Sequence, residues 1–151
     1  MIVGIPRETY PGERRVALVP AVIPNLAKAG MEVVIETGAG AGAGFPDAEY
    51  AAKGAKILMN RAEVFGSSDI VIQVLCYGSN DKTGKPDLAL LRRGQALIGF
   101  LRPLGSLDVI HEIAATGVTS FSVELMPRTT RAQSMDALSS MGTICGYKAN
   151  V

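Results

Sequence analysis

Pro20-Ala21-Val22-Ile23-Pro24-Asn25-Leu26-Ala27-Lys28-Ala29-Gly30-Met31-Glu32-Val33-Val34-Ile35-Glu36 is the stretch that decides the fold. Its first part, Pro20–Ala29, has the Ala/Leu content of a helix. Gly30 stands just beyond it, where a left-handed residue closes a last helical turn. Glu32–Glu36 then runs apolar without alternation, as a strand does when both faces of a parallel sheet are covered.

The same alternation repeats along the chain. Further strands are expected at Ile2–Ile5, Ile70–Val74, Ala96–Phe100 and Val118–Ser122, and further helices at Asp47–Lys53, Arg61–Gly66, Asp87–Leu91 and Leu107–Ala115. Gly54 and Gly117 occupy the same closing position as Gly30. Strand and helix in turn predict an α/β fold: an open, mostly parallel sheet flanked by helices, layered in a Rossmann-like or flavodoxin-like way through right-handed crossovers. Tyr77–Lys85 is polar and contains glycine, which predicts a mobile loop. Arg131–Asn150 reads as one long C-terminal helix, with Thr130 and Gln133 at capping-box spacing and no stop signal before the sequence ends.

Composition narrows the function classes. With 151 residues, 48% of them apolar, the chain suits one domain with a real core and is not disordered. Lys and Arg total 15 against 14 for Asp and Glu, so nothing suggests a nucleic-acid surface. Cys76 and Cys145 are too few and too far apart for a disulfide framework, which points to a reducing compartment. No segment reaches the roughly 18 to 20 apolar residues of a membrane span. Met1-Ile2-Val3-Gly4-Ile5 lacks the charged leader of a secreted protein.

Four groups of residues merit weighing. Gly38–Gly44 formally contains G-x-G-x-x-A after a strand. Phe45-Pro46-Asp47 separates it from the next helix, so its amides are not set to meet a pyrophosphate and a flexible turn is expected. Arg7–Ala17 places dense charge beyond the first strand, where open α/β sheets bind ligands. Arg15 is the residue there to grip an anion, since guanidinium matches carboxylate or phosphate in two prongs. The alternative is a surface ion-pair cluster with Glu8 and Glu13. In Leu125–Asp136, Arg128 precedes the long helix, and Gln133 and Asp136 fall in its first turns. Helical spacing aligns Ala132, Asp136, Ser139 or Ser140, Thr143 and Tyr147 in one polar stripe on an otherwise buried helix. Against a functional role, Gln133 could complete the capping box and Asp136 could pair with Arg128 or Arg131. His111 has no partner at metal-ligand spacing, so no metal is expected.

Gly4-Ile5-Pro6-Arg7-Glu8, Glu13-x-Arg15-Val16-Ala17 with Pro20, Glu36-x-Gly38-Ala39-Gly40 and Ala43-Gly44-Phe45 resemble the start of the alanine dehydrogenase/pyridine-nucleotide transhydrogenase superfamily. Pro127-Arg128-x-x-Arg131-Ala132-Gln133-Ser134-Met135-Asp136-Ala137-Leu138-Ser139-Ser140 and Gly146-Tyr147-Lys148-Ala149 resemble the signature of its proton-translocating NAD(P) transhydrogenases, in their NAD(H)-binding component. The resemblance implies that residues 1–151 are the N-terminal domain. That domain would be incomplete without an inserted NAD-binding Rossmann domain and a returning C-terminal segment. It implies direct hydride transfer between NAD(H) and NADP(H) as substrates, coupled to proton movement by a membrane component. It further implies an NADP(H)-binding partner, a homodimer, and a cytoplasmic position peripheral to the inner membrane. The roles facing the nicotinamide fall to Arg128, Gln133 and Asp136, with Ser139 as a cofactor-binding neighbour.

Departures bear on the chemistry. Alanine dehydrogenases carry a catalytic histidine after the Ala96–Phe100 strand, and Arg102 stands about there. They carry a substrate-binding lysine where Gln73 stands, a lysine that transhydrogenases commonly keep. Both losses argue against alanine or pyruvate. Hydride transfer itself requires no general acid or base, only two rings held in contact. An amino-acid dehydrogenase and a non-catalytic scaffold or dimerisation module are the alternatives.

Overall fold

The computed structural model describes residues 1–150. Its strands are β1 (Ile2–Ile5), β2 (Glu32–Glu36), β3 (Lys56–Leu58), β4 (Ile70–Leu75), β5 (Ala96–Phe100) and β6 (Thr119–Ser122). Its α-helices are α1 (Ile23–Lys28), α2 (Asp47–Ala52), α3 (Arg61–Ser67), α4 (Leu107–Ala115) and α5 (Ala137–Ala149). The sheet order is β3-β2-β1-β4-β5-β6, with every neighbouring pair parallel. The expected α/β layering is therefore present. The chain winds outward from β1 to β3, crosses back to lie beside β1 as β4, and winds outward again to β6. The loops leaving β1 and β4 part in opposite directions, and a crevice opens outside their carboxyl ends.

Strand β3 was not anticipated. Only Ile57 is β-branched in its three residues, too short a run for periodicity to register. Apolar cover on both faces holds for β2, where Val33, Val34 and Ile35 are all buried. It fails for β6, an edge strand whose first three residues are exposed. One apolar cluster gathers Val3, Ile5, Ile23, Val33, Ile35 and Tyr50, and a second gathers Phe65, Val71, Leu97, Leu101 and Ile113. Gly30, Gly54 and Gly117 take φ of 77°, 97° and 77°, the left-handed closure expected of them.

Three local expectations change. Residues expected as a helix at Asp87–Leu91 form a 3-10 turn over Lys85–Leu90, with Pro86 in its first turn and the Asp87 carboxylate held by Arg61. The predicted mobile loop Tyr77–Lys85 is pinned. Asn80 is 1% exposed and donates to Thr9 Oγ1 (2.9 Å), Thr83 Oγ1 bonds both Asn80 and Thr9, and Lys85 pairs with Glu112. The long helix starts at Ala137 rather than Arg131. Residues Gln133–Met135 form a separate 3-10 turn, and Asp136 is extended at φ −77°, ψ 103°. The Thr130–Gln133 capping box does not form. Asp136 is the N-cap, accepting from the Leu138 amide at 2.9 Å, because a short carboxylate reaches the orphan amides of a first turn.

Beneath the crevice lies a buried ionic network. Arg61 grips Asp87 with two bonds of 2.6 Å, donates to the Arg7 carbonyl at 2.6 Å and lies 3.5 Å from Glu36. Glu36 in turn accepts the Arg7 amide at 2.8 Å. These bonds fix the start of the loop that carries Arg15. Among the described residues, every buried side-chain nitrogen and oxygen has a partner.

Candidate functional site

The Glu8 carboxylate anchors the loop after β1. It accepts the amides of Val74 (2.6 Å) and Leu75 (3.1 Å), the terminal residues of β4, where the register with β5 shifts and ladder partners run out. Burial pushes the Glu8 carboxyl up from its ordinary value, although the two amide bonds oppose that shift. Further along the loop Arg15 is half exposed and pairs with Glu13 at 2.6 Å, which holds the Glu13 carboxyl below its ordinary value. The ion-pair alternative for Arg15 is present with Glu13 alone. Arg15 also lines the crevice, with one guanidinium nitrogen 3.6 Å from the Met141 sulfur of α5. Glu8 does not join that pair cluster.

The Gly/Ala run behaves as a turn. Its Gly38 amide and Thr37 hydroxyl donate to Asp47, the residue that begins α2. A Cβ at Gly40 would fall 2.5 Å from the Tyr50 ring, so glycine here serves close packing.

Several hollows surround the start of α5, and two of them are lined by Arg128. The first, of about 350 Å³, is bounded by Arg15, Leu75, Phe100, Glu124, Met126, Arg128, Asp136 and the first turns of α5. The second, of about 270 Å³, is lined by Arg128, Thr129, Thr130, Gln133, Asp136 and Ser139. All four residues singled out near the helix start, Arg128, Gln133, Asp136 and Ser139, therefore meet at one hollow, and Arg128 and Asp136 also line the other. Arg15 lines the first and not the second. The 3-10 turn Gln133–Met135 and the extended Asp136 lead into α5 here, and Gln133, Asp136 and Ser139 line this hollow together with Arg128.

Asp136 receives the Ser139 hydroxyl at 2.7 Å as well as the Leu138 amide, and those bonds, with the nearby Arg128 charge, hold its carboxyl below the ordinary value. It is thus a cap and an ionised group together. No ion pair among the described residues engages Arg128 or Arg131. The expectation of a buried helix hiding a polar stripe is corrected: α5 has no buried residue, and Leu138, Ile144 and Tyr147 are 59%, 66% and 73% exposed. Ser140 and Thr143 bond back to their own helix carbonyls instead.

Gln73 is buried and donates to Asp87 at 3.2 Å, so its amide is directed into the network rather than held as a free cation would be. Arg102 is exposed, with φ of 53°, and both cysteines are free. Burial pushes the Cys76 thiol up, which removes it as a nucleophile. His111 lies on the exposed side of α4. The described residues hold no cluster of three or more metal-ligating side chains, and no helix among them is long and apolar enough to cross a membrane.

Residues missed from sequence are Glu124, Arg61 and Asp87. Each is a charged residue without a motif around it, and only its contacts across the fold give it a place.

Residues 4–145 match the family described as "Alanine dehydrogenase/PNT, N-terminal domain". The chain is 43% identical to the NAD(P) transhydrogenase subunit alpha of Cereibacter sphaeroides, over 99% of this chain and 27% of that protein. The solved transhydrogenase from Sinorhizobium meliloti superposes with a TM-score of 0.88 at 37% identity, over 99% of this chain and 42% of that one. A solved L-alanine dehydrogenase superposes with a TM-score of 0.77 at 27% identity, over 87% of this chain and 34% of that one. The chain thus spans between about a quarter and two fifths of the length of these relatives.

Proposed function

Because this chain belongs to the alanine dehydrogenase/PNT N-terminal domain family, we propose that it is the N-terminal part of the NAD(H)-binding component of a proton-translocating NAD(P) transhydrogenase. Its partners in this reading are an NAD-binding Rossmann domain, an NADP(H)-binding component and a membrane component. The protein would lie against the membrane through them, and the domain of residues 1–151 would be completed by segments outside it.

One observation carries the reading: Arg128, Gln133, Asp136 and Ser139 share a polar hollow beside the crevice at the β1/β4 crossover. Its volume lies below the about 300–1,000 Å³ of a complete small-molecule site, so it suits one end of a dinucleotide. Bound nucleotides supply the hydride and its acceptor. Gln133 offers both an acceptor and a donor edge, which fixes the rotation of a carboxamide. Arg128 adds a planar fork of guanidinium donors. Asp136, ionised and held by its cap bonds, presents negative charge where positive charge grows as hydride departs. Positioning of this kind supplies up to about 7–11 kcal/mol of a bimolecular barrier. Against alanine dehydrogenase chemistry, Arg102 offers no neutral base, and Gln73 cannot charge-pair with a carboxylate.

The test uses the chain combined with its nucleotide-binding partners, following reduction of an NAD analogue by NADPH. Gln133→Glu keeps an acceptor but loses the amide donor, and Asp136→Asn keeps a capping oxygen but loses the charge. Both should melt near the wild-type temperature while hydride transfer falls at least about tenfold, equivalent to about 1.4 kcal/mol of transition-state binding. Arg131→Ala, outside the hollow, should retain activity. Wild-type rates in both Gln133→Glu and Asp136→Asn would refute the reading. The chain alone should be inactive, and turnover by it alone would refute the need for a partner.

A further inference from the structure

We propose that Glu124 is a positioning residue that sets the place of Arg128, an inference that rests on the site described above. Glu124 lies in the 3-10 turn Val123–Leu125, directly after the edge strand β6. Its carboxylate accepts the Leu101 amide (3.0 and 3.3 Å to its two oxygens), the Arg102 amide (2.5 Å) and the Ser122 hydroxyl (2.5 Å). Leu101 and Arg102 are the first residues beyond β5, where ladder partners end. One carboxylate therefore ties the exit of β5 to the exit of β6, through bonds strengthened by its charge.

The tie matters because the β5–β6 ladder ends at Ser122 and little apolar packing holds the chain beyond it. Residues 127–131 are all exposed. Arg128 follows Glu124 by only four residues, and both line the larger hollow with Phe100 and Met126. Arg102 is the one non-glycine residue with positive φ among the described residues. Such a conformation persists only where its surroundings impose it, and the Glu124 bond to its amide is that constraint. The same device recurs on the opposite wall. There Glu8 caps the exit of β4 and anchors the loop bearing Arg15, so each guanidinium lining the hollow is carried on a loop that a glutamate ties to a neighbouring strand end.

A double-mutant cycle in the assembled enzyme tests this. Glu124→Gln turns one acceptor oxygen into an NH₂ group facing amide donors, and Arg128→Ala removes the group to be placed. Arg128→Ala should depress hydride transfer. Glu124→Gln should lower kcat about tenfold or more, within what a misplacement of about 1 Å costs, while KM moves less than kcat. In the Arg128→Ala background the same change should cost less than about twofold, because nothing remains to misplace. Glu124→Asp, which keeps both acceptors, should recover part of the rate and stands in if Glu124→Gln fails to fold. An equal loss in both backgrounds overturns the proposal, as does a wild-type kcat for Glu124→Gln. If Arg128→Ala itself leaves transfer unchanged, the underlying site assignment falls. If Arg128→Ala is impaired and Glu124→Gln is not, only the positioning role falls.

Discussion

Replacing Arg61 by methionine should be among the most damaging single changes available. The guanidinium is largely buried, at 18% side-chain exposure, and makes two 2.6 Å bonds to Asp87 and one to the Arg7 carbonyl. It also lies 5.4 Å over the Phe65 ring, one turn along α3. Methionine keeps most of the apolar contact but strands two carboxylates. Asp87, 5% exposed, would keep only the Gln73 amide at 3.2 Å, and Glu36, 8% exposed, only the Arg7 amide. Breaking a buried pair from one side costs about 3–5 kcal/mol. With a urea dependence of about 2 kcal/mol per molar, the midpoint should fall by about 1.5–2.5 M. The melting temperature should fall by about 6–20 °C for a domain of this size. Removing both charges with Arg61→Met/Asp87→Leu should cost less than Arg61→Met alone, since no carboxylate is then orphaned at position 87. Urea titration of the three proteins decides the matter. A loss below about 1 kcal/mol for Arg61→Met, or a double mutant worse than the single, would show that the network carries no such cost.

Further expectations concern packing, pH and association. Gly4→Ala would place a Cβ 2.0 Å from the Ser68 hydroxyl oxygen and 2.8 Å from its Cβ, so it should destabilise by about 1–3 kcal/mol or more. Ser68→Gly in the same chain should restore part of that loss, and an unchanged melting curve for Gly4→Ala would contradict the geometry. Burial raises the Glu8 carboxyl above its ordinary 4.5, so the folded state binds this proton at higher pH than the unfolded state. Its effect on stability must therefore become more favourable as pH falls from the raised folded value toward 4.5. Wild type should gain stability relative to Glu8→Gln on acidification through that window, and a constant difference across pH would refute the assignment. The exposed Leu138, Ile144 and Tyr147 of α5 should drive self-association in the micromolar range, weakened by Leu138→Ser/Ile144→Ser. A monomeric sedimentation profile for the unaltered chain would count against it.

Sequence by itself determined the layered α/β class, because apolar runs such as Val33-Val34-Ile35 and closing glycines such as Gly30 are local signals with local physical causes. It also brought out Arg128, Gln133, Asp136 and Ser139 as a group, and dismissed the Gly38–Gly44 run as a fingerprint. Tertiary structure decided how those residues meet. The capping-box spacing at Thr130 and Gln133 and the Asp136 side chain competed for the same helix start. Asp136 won because its carboxylate reaches both the Leu138 amide and the Ser139 hydroxyl, and in the resulting fold Gln133 and Arg128 line one hollow. The exposed edge at β6 and the roles of Glu8, Arg61, Asp87 and Glu124 were equally out of reach. Glu8 and Glu124 depend on where strand ladders run out of partners, and Arg61 and Asp87 on which elements the fold packs together, with partners up to 67 residues apart. A lone charged residue has no periodicity to betray it, and its role exists only once the fold has brought the groups it must satisfy within about 3 Å.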